Sequence, residues 1–293
     1  MTAGWETTSC AICGATQTTT IFEVDSPVGP WRLVRCDQCG LVYTDPRPSA
    51  EQLLTLYDGD YVEAEYKGYS DDLRLLADGR EIVADIASRH PTATTLLDVG
   101  CGSGNILAAA RERGWTACGV EVTEGVASRA RELSGADVHV GDFMELPLSG
   151  PFDVVVMWQV LEHLPDPRAA LQKVKNLMAP QGLLLITVPN FASTASQKQG
   201  PQWSGLKPGF HLYHYTPESL TRLLALTGFG KTEVLARSAI SLKRAGEAHG
   251  GLRPLTSAAR RLWRLQPRRV QKLISHRAAR LAPGEGLWAY THA

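Results

Sequence analysis

The chain has 293 residues, a formal net charge of zero, 44% hydrophobic residues and 20% charged residues. These values are typical of a globular protein with enough apolar material for one large domain or two. The N-terminus lacks the basic region and apolar run of a signal peptide, and no apolar run approaches the ~20 residues of a membrane span. We therefore expect a cytoplasmic protein without a transmembrane segment, in which thiols stay reduced.

Four of the six cysteines form two C-x2-C-G pairs, Cys10 with Cys13 and Cys36 with Cys39. This spacing is typical of a structural zinc site with four thiolate ligands. A redox dithiol and a pair of disulfides are the alternatives, but a redox motif normally occurs once and the cytoplasm disfavours disulfides. We expect residues 1–45 to form a small zinc-ribbon-like lobe. Its short β-like runs are Thr18–Val24, Trp31–Arg35 and Leu41–Tyr43.

Residues 46–92 are predicted to form a helical linker or lid. Pro46 and Pro48 are expected to stop any strand, and Ser49 is well placed to cap a helix that begins at Ala50. Apolar residues at helical spacing continue to Ile86 and predict a buried helix face. Tyrosines between the helical pieces are candidates for a lid, although aromatic residues there more often serve packing. These are Tyr57, Tyr61 and Tyr66.

From Thr94 the pattern alternates between apolar strands and helices, which predicts an α/β domain with a doubly wound, Rossmann-like parallel sheet over residues 93–293. The predicted strands are Thr95–Val99, Ala117–Glu121, Asp137–Val140, Phe152–Trp158, Gly182–Pro189 and Lys231–Ala236. The predicted helices are 104–113, 124–134, 166–178 and 217–227. The final GLWAYTHA is a seventh strand candidate, reached after a basic helical insertion at 237–283.

The stretch LLDVGCGSGN places a glycine-rich turn directly after the first of these strands. A dinucleotide loop would need glycine at Asn105, and a Walker loop would need a lysine that this stretch lacks. Asp98, just before the glycines, would repel a phosphate but attract an ammonium group. S-adenosylmethionine fits this charge pattern, because it carries an ammonium, a carboxylate and a sulfonium and no phosphate. The loop's backbone amides suit its carboxylate.

Acidic residues at the ends of the next two strands extend this candidate cofactor site. Glu121 lies at the position where an acidic residue accepts hydrogen bonds from the hydroxyls of an unphosphorylated ribose. Asp142 and Phe143 follow the third strand, where a carboxylate and a ring would meet the amino group and face of an adenine.

In this order and spacing, LLDVGCGSGN, GVEVT, GDFMELPL, FDVVVMWQVLEHLPDP and LMAPQGLLLITVPN resemble the class I S-adenosylmethionine-dependent methyltransferases. The resemblance covers about residues 95–236 and, with the terminal strand, extends to the C-terminus. It implies a seven-stranded sheet and a methyltransferase that releases S-adenosylhomocysteine. The cofactor-binding residues that it implies are Asp98, Gly100, Cys101 (as a small filler), Gly102, Gly104, Glu121, Val122, Asp142, Phe143, Trp158 and Gln159.

Two further segments are similar to a bacterial branch of this family in which a zinc lobe precedes the methyltransferase core. They are the cysteine pairs followed by LVYTDPRP, and KPGFHLYHYTPESLTRLLALTGF. Gly209-Phe210 replace the Pro-Arg that this branch typically has before the first histidine, so the resemblance does not extend to the substrate. It implies a tailoring enzyme of small-molecule or natural-product metabolism.

Three histidines are the catalytic candidates, because a base near neutral pH helps to deprotonate a hydroxyl or carboxyl acceptor. His163 follows the fourth strand at the carboxyl edge of the sheet, where it either acts as that base or fixes the following turn. His211 and His214 follow the fifth strand and either orient substrate, act as a base, or hold their loop. As a metal-binding pair they would lack a third ligand nearby in the sequence.

We expect a small-molecule methyltransferase that acts on oxygen. The alternatives are methylation of carbon or nitrogen on a sugar or a carrier-bound intermediate, and an RNA methyltransferase. The acidic N-terminal region and the absence of N-P-P-Y or D-P-P-Y after the fourth strand disfavour nucleic acid. The basic segment 237–283 is interpreted as a pair of cover helices; contact with a membrane or nucleic acid, or reception of an acidic or carrier-bound substrate, remain alternatives.

Overall fold

The computed structural model describes residues 4–26, 29–49, 51–53, 72–237 and 284–293. The predicted lid tyrosines and nearly all of the basic insertion lie outside the described residues. The strands are β1 (Trp5–Glu6), β2 (Thr18–Ser26), β3 (Gly29–Cys36), β4 (Val42–Thr44), β5 (Arg47–Pro48), β6 (Thr95–Val99), β7 (Thr116–Glu121), β8 (Asp137–Val140), β9 (Phe152–Trp158), β10 (Met178–Pro189), β11 (Tyr213–His214), β12 (Glu233–Arg237) and β13 (Gly286–His292). The helices are α1 (Asp72–Arg89), α2 (Asn105–Glu112), α3 (Glu124–Ser134), α4 (Pro167–Leu177), α5 (Thr194–Gln199) and α6 (Pro217–Leu226).

A seven-stranded sheet in the order β12-β13-β10-β9-β6-β7-β8 forms the centre of the fold. Strands β6 to β10 pair in parallel, and β13 runs antiparallel between β10 and β12. The chain runs outwards from β6 to β7 and β8, then returns to β9 on the other side of β6. This reversal makes the carboxyl ends of β6 and β9 the switch point where open α/β sheets bind ligands. The predicted fold class is confirmed, including the antiparallel terminal strand.

Alternate residues of the central strands pack into different layers, as the two-residue period of a strand requires. Val154 and Val156 of β9 belong to a core with the buried residues of α1, α2 and α3. Val155 and Met157 belong to the opposite core, with the buried residues of α4 and α6. Both faces of the sheet are therefore covered, which explains why its central strands are continuous apolar runs. In the part of the chain that the structure describes, no helix is long and apolar enough to cross a membrane.

A second sheet contains the N-terminal strands and one short strand from the other half of the chain. Its order is β11-β4-β3-β2. Strands β2, β3 and β4 follow the predicted runs, and β11 is the fourth strand. The fourth was not predicted: Tyr213 pairs with Tyr43 and His214 with Val42, in antiparallel register. The segment HLYHYT, expected as a loop bordering the sheet edge, is thus partly a strand that joins the N-terminal sheet.

The segment that follows β4 corrects one expectation and confirms another. Proline was expected to stop any strand here, but Arg47 and Pro48 pair with Glu6 and Trp5 as a two-residue antiparallel bridge. Such a short pairing tolerates proline because the missing N–H faces no ladder partner at an edge. The Ser49 cap is confirmed, since its Oγ accepts a 3.3 Å hydrogen bond from the backbone N–H of Gln52.

Candidate active site

The glycine-rich turn after β6 needs glycine for two separate reasons. Gly100 and Gly104 have φ values of 68° and 83°, in the left-handed region that side chains disfavour. A Cβ on Gly100 would lie 2.6 Å from Val160 Cγ2, and one on Gly104 would lie 2.9 Å from the Ala130 Cα. Gly102 is also left-handed, at 52°. The turn therefore presses its backbone against the loop after β9 and against α3, with space only for hydrogen.

Two buried carboxylates face this turn from the ends of β6 and β7. Glu121 accepts hydrogen bonds from the N–H of Gly102 at 3.1 Å and of Thr123 at 3.2 Å. Asp98 is 1% exposed, and its Oδ1 has no hydrogen-bond partner among the described residues. Burial, and then the nearby charge of Glu121, raise the pKa of Asp98 well above its usual range, and burial raises the pKa of Glu121. A buried carboxyl with one unpartnered oxygen beside a glycine cradle fits a ligand that brings a cationic group.

The other predicted cofactor residues also lie at the carboxyl ends of β7, β8 and β9. Val122 is 39% exposed, Asp142 is exposed, and Phe143 is buried. Trp158 packs edge-on against Trp288 at 4.9 Å between ring centroids. Gln159 has a φ of 56°, an unusual value for a residue with a side chain, and its N–H donates to the carbonyl oxygen of Thr187 at 2.9 Å.

Cys101 is buried behind the glycine turn rather than exposed within it. Its Sγ would lie 2.8 Å from a Cβ on Gly119 of β7, so the sulfur occupies the space that this glycine leaves open. Burial raises the pKa of the Cys101 thiol above its usual range. Both facts describe a packing residue, since a reactive cysteine needs access and thiolate character.

His163 and His211 come together at the carboxyl edge, next to the loop that contacts the glycine turn. His163 lies in a short 3-10 turn, Leu161–His163, directly after Val160. The two imidazoles are nearly perpendicular, with 4.6 Å between their centroids. Nδ1 of His163 lies 3.1 Å from the Phe210 carbonyl oxygen, and Nδ1 of His211 lies 2.8 Å from that of Gly205. Because a carbonyl only accepts, each Nδ1 carries the proton and each Nε2 the lone pair.

Glu162 completes this group, and we call Glu162, His163 and His211 the acceptor-side cluster. Its three ligand atoms, one from each residue, all lie within 4.8 Å of one another. Glu162 is 0% exposed, and neither carboxyl oxygen has a hydrogen-bond partner among the described residues. Burial raises the pKa of Glu162 to about 8, although the charge of Lys207 opposes this. Burial, then the charge of Lys207, lower the pKa of His163 to about 4. Burial also lowers the pKa of His211.

His214 is not one of the three ligand residues of this cluster, although its ring centroid lies 6.5 Å from that of His211. It lies on β11 between the ring of Trp31, 6.2 Å away, and the ring of Phe191, 5.9 Å away. It is 2% exposed, and burial lowers its pKa to about 3. The sequence grouped His211 with His214 by proximity, whereas in the structure the ring of His211 lies closer to that of His163, at 4.6 Å, than to that of His214, at 6.5 Å. Sequence reasoning missed Glu162 as a site residue; its signal was a carboxyl next to a histidine directly after a central strand.

The four N-terminal cysteines also come together. Cys10 and Cys39 sulfurs lie 3.3 Å apart, and those of Cys13 and Cys36 lie 3.5 Å apart, with no disulfide between them. Ligands about 2.3 Å from a tetrahedral zinc ion lie about 3.8 Å apart, close to these separations. The two pairs are built alike, because the residue after each pair donates its N–H to the first cysteine's carbonyl oxygen. These donors, Gly14 and Gly40, have φ values of 75° and 76°.

Comparison with known proteins identifies the class of enzyme. Residues 71–234, more than half of the chain, match the family model described as "Methyltransferase domain". The chain belongs to this family and is an S-adenosylmethionine-dependent methyltransferase. It is 26% identical over 196 residues to an uncharacterised methyltransferase of Geobacillus sp. (strain WCH70), which covers 62% of this chain and 91% of that protein.

Two further similarities concern named methyltransferases. The chain is 31% identical over 157 residues to the ubiquinone biosynthesis O-methyltransferase of Dinoroseobacter shibae, which covers 49% of this chain and 63% of that protein. The chain therefore spans less than two thirds of that relative's length. The plantazolicin methyltransferase BamL, in complex with a triazolic desmethylPZN analog and SAH, has a TM-score of 0.54 and 16% identity, covering 82% of this chain and 94% of that structure. This last likeness is one of fold.

Proposed function

We propose that this protein transfers the methyl group of S-adenosylmethionine to an oxygen atom of a small molecule, in a tailoring or secondary-metabolic pathway of the cytoplasm. The acceptor-side cluster is the observation that carries the proposal. Oxygen acceptors bear a proton that must leave, and the cluster places a carboxyl and two neutral imidazoles next to the loop that contacts the glycine turn. The named O-methyltransferase relative supports the same reaction.

The cofactor is proposed to lie across the carboxyl ends of β6 to β9. The glycine turn suits its amino acid part, with backbone N–H groups for the carboxylate and Asp98 for the ammonium group. Glu121 would hold the ribose hydroxyls, with Val122 beside it, and Asp142 and Phe143 would meet the adenine. When bound, S-adenosylmethionine supplies a methyl group on a sulfur that is already an activated leaving group.

The protein's own task is to align the acceptor, exclude water and accept a proton. Nε2 of His163 or His211 accepts a hydrogen bond from the acceptor hydroxyl. The proton passes to the ionised form of Glu162, the cluster group whose pKa, about 8, lies nearest to neutral pH. The O–C bond to the methyl group forms as the C–S bond breaks, and the sulfur keeps the electron pair. His214 is proposed to support this arrangement through β11.

The four cysteines are proposed to hold a structural zinc ion. All four ligand positions come from protein thiols, so the ion would stabilise the N-terminal sheet and leave no position for substrate. Metal analysis of the purified protein should find zinc that Cys36→Ser removes. Zinc retained at full stoichiometry in Cys36→Ser would contradict this assignment.

The test of the proposed reaction supplies ¹³C-methyl S-adenosylmethionine with a panel of phenols, catechols, carboxylic acids and amines. We expect the ¹³C label on oxygen, identified by NMR of the product. Glu162→Gln should lower kcat about 100-fold or more, with unchanged binding of S-adenosylhomocysteine. The exposed Glu145→Gln is the matched control. Label found only on nitrogen or carbon would overturn the proposal.

A further inference from the structure

The acceptor-side cluster has the composition of a metal centre as well as of a base. We propose that Glu162, His163 and His211 bind a divalent transition-metal cation, of the Zn²⁺ or Co²⁺ type, through one carboxylate oxygen and two Nε2 atoms. Two imidazoles and one carboxylate are a ligand set that such cations prefer, and three protein ligands leave positions open for water or substrate.

The orientation of both imidazoles is the first observation in favour. Each Nδ1–H donates to a backbone carbonyl, at 3.1 Å for His163 and 2.8 Å for His211. Metal-binding histidines usually make this bond with the nitrogen that does not bind the metal, which fixes the tautomer and the ring. One ring nitrogen of each histidine lies within 4.8 Å of the other and of a Glu162 carboxylate oxygen. Burial keeps both imidazoles neutral, the form that ligates a cation.

Glu162 supplies the second, independent observation. A fully buried carboxyl without any hydrogen-bond donor is costly, and the described residues offer it none. A cation between the carboxyl and the two imidazoles would satisfy it. Ligands about 2.1 Å from a tetrahedral ion lie about 3.4 Å apart, whereas the present atoms lie within 4.8 Å of one another. Two ligand atoms at the upper limit of 4.8 Å would have to approach by about 1.4 Å to reach that geometry.

Lys207 is the charged group that opposes the cation. Its positive charge acts on Glu162 and on both histidines of the cluster. Replacing Lys207 by a neutral residue should therefore strengthen metal binding. This expectation separates a specific site from a loss of folding, because misfolded variants lose affinity and do not gain it.

The consequence for catalysis rests on the proposed function. With the cation bound, an acceptor oxygen in one of its open positions would have a lowered pKa, and its proton would leave to bulk water instead of passing to Glu162, which would be a ligand. The histidines then act as ligands, and the acceptor is held by the cation at the edge where the methyl group arrives. Metal binding itself can be measured without any methyl acceptor, so the two proposals fail separately.

The experiment uses the full chain with its cysteine site filled with zinc and other metal removed by EDTA. Titration with Co²⁺ alone should show one further ion per chain, with the weak visible absorption of nitrogen and oxygen ligands and without the intense thiolate bands that exchange into the cysteine site would give. Glu162→Gln and His211→Gln should each weaken this binding at least tenfold, and Lys207→Gln should strengthen it. The exposed His139→Gln is the control.

Binding of S-adenosylhomocysteine, measured on every variant, reports that each remains folded. The inference is overturned if no further Co²⁺ binds, or if Glu162→Gln and His211→Gln bind it as the unaltered protein does. If Co²⁺ does not bind and methyl transfer still proceeds at full rate after EDTA treatment, the proposed metal site is overturned and the proposed function is not. Co²⁺ binding without methyl transfer to any oxygen acceptor would overturn only the proposed function.

Discussion

Asp98 is a buried carboxyl whose proton should leave when the cofactor binds. In the free protein, burial and the charge of Glu121 raise its pKa. An ammonium group placed beside it would lower that pKa, so binding of S-adenosylmethionine should release a proton and strengthen as the pH rises towards the free-state pKa. We expect Asp98→Asn to abolish this release and to weaken binding about tenfold or more.

Calorimetry in buffers with different ionisation enthalpies measures this proton release. The exposed Asp137→Asn, on β8 of the same sheet, is the matched control and should behave as the unaltered protein. The same number of protons released by Asp98→Asn as by the unaltered protein would show that another group titrates.

Gly104 and Gly114 allow the two demands on a glycine to be separated. Both have left-handed φ values, 83° and 87°. A Cβ on Gly104 would meet the backbone of Ala130 at 2.9 Å, whereas one on Gly114 has open space around it. Gly114→Ala should cost only the backbone penalty of about 1–2 kcal/mol, with cofactor affinity unchanged. Gly104→Ala should lower stability further and reduce affinity for S-adenosylhomocysteine. If the contact with α3 were unimportant, thermal unfolding would show the same loss of stability in Gly104→Ala and Gly114→Ala. Calorimetry would then show the same affinity for S-adenosylhomocysteine in both variants.

At the scale of elements, β4 and β11 connect the N-terminal sheet to the acceptor-side cluster. The N–H of Thr44 in β4 donates to the Leu212 carbonyl oxygen at 2.9 Å, and its Oγ1 donates to that of His211 at 3.2 Å. The backbone of a cluster residue is thus held by a strand of the cysteine-bearing sheet. The N-terminal sheet therefore supports the backbone on which His211 stands.

Thr44→Val removes the hydroxyl donor and keeps the shape of the side chain. Loss of one buried hydrogen bond is worth about 0.5–1.5 kcal/mol, so kcat/KM for the acceptor should fall about two- to tenfold. Affinity for S-adenosylhomocysteine should stay the same. Thr20→Val, at an exposed position of β2, is the control for the substitution. Equal loss of cofactor affinity and of kcat/KM would mean that the strand supports the whole site.

At the scale of the molecule, the sequence predicted the elements that a short continuous stretch of residues is enough to identify. The central strands are continuous apolar runs, and the glycine turn follows one of them directly, so the main sheet and its ligand-binding edge were predictable. β11 was not, because a two-residue strand has no periodicity and its pairing with β4 is a long-range contact. The grouping of Glu162 with His211 was hidden for the same reason, since neighbours in space need not be neighbours in sequence.

His214 makes the junction between the two sheets sensitive to acid. It is buried between Trp31 of the N-terminal sheet and Phe191 of the main domain, and burial lowers its pKa from 6.5 to about 3. The unfolded chain takes up a proton below pH 6.5 while the folded chain does not, so His214 reduces stability as the pH falls from 6.5 towards 3. The loss should approach about 1.4 kcal/mol per pH unit. His214→Phe removes the titration, so the free energy of unfolding, measured by urea at several pH values, should differ from that of the unaltered protein by a constant amount above neutral pH. Below neutral pH, the variant should lose less stability than the unaltered protein. A difference in the free energy of unfolding that does not change with pH would show that folded His214 is readily protonated.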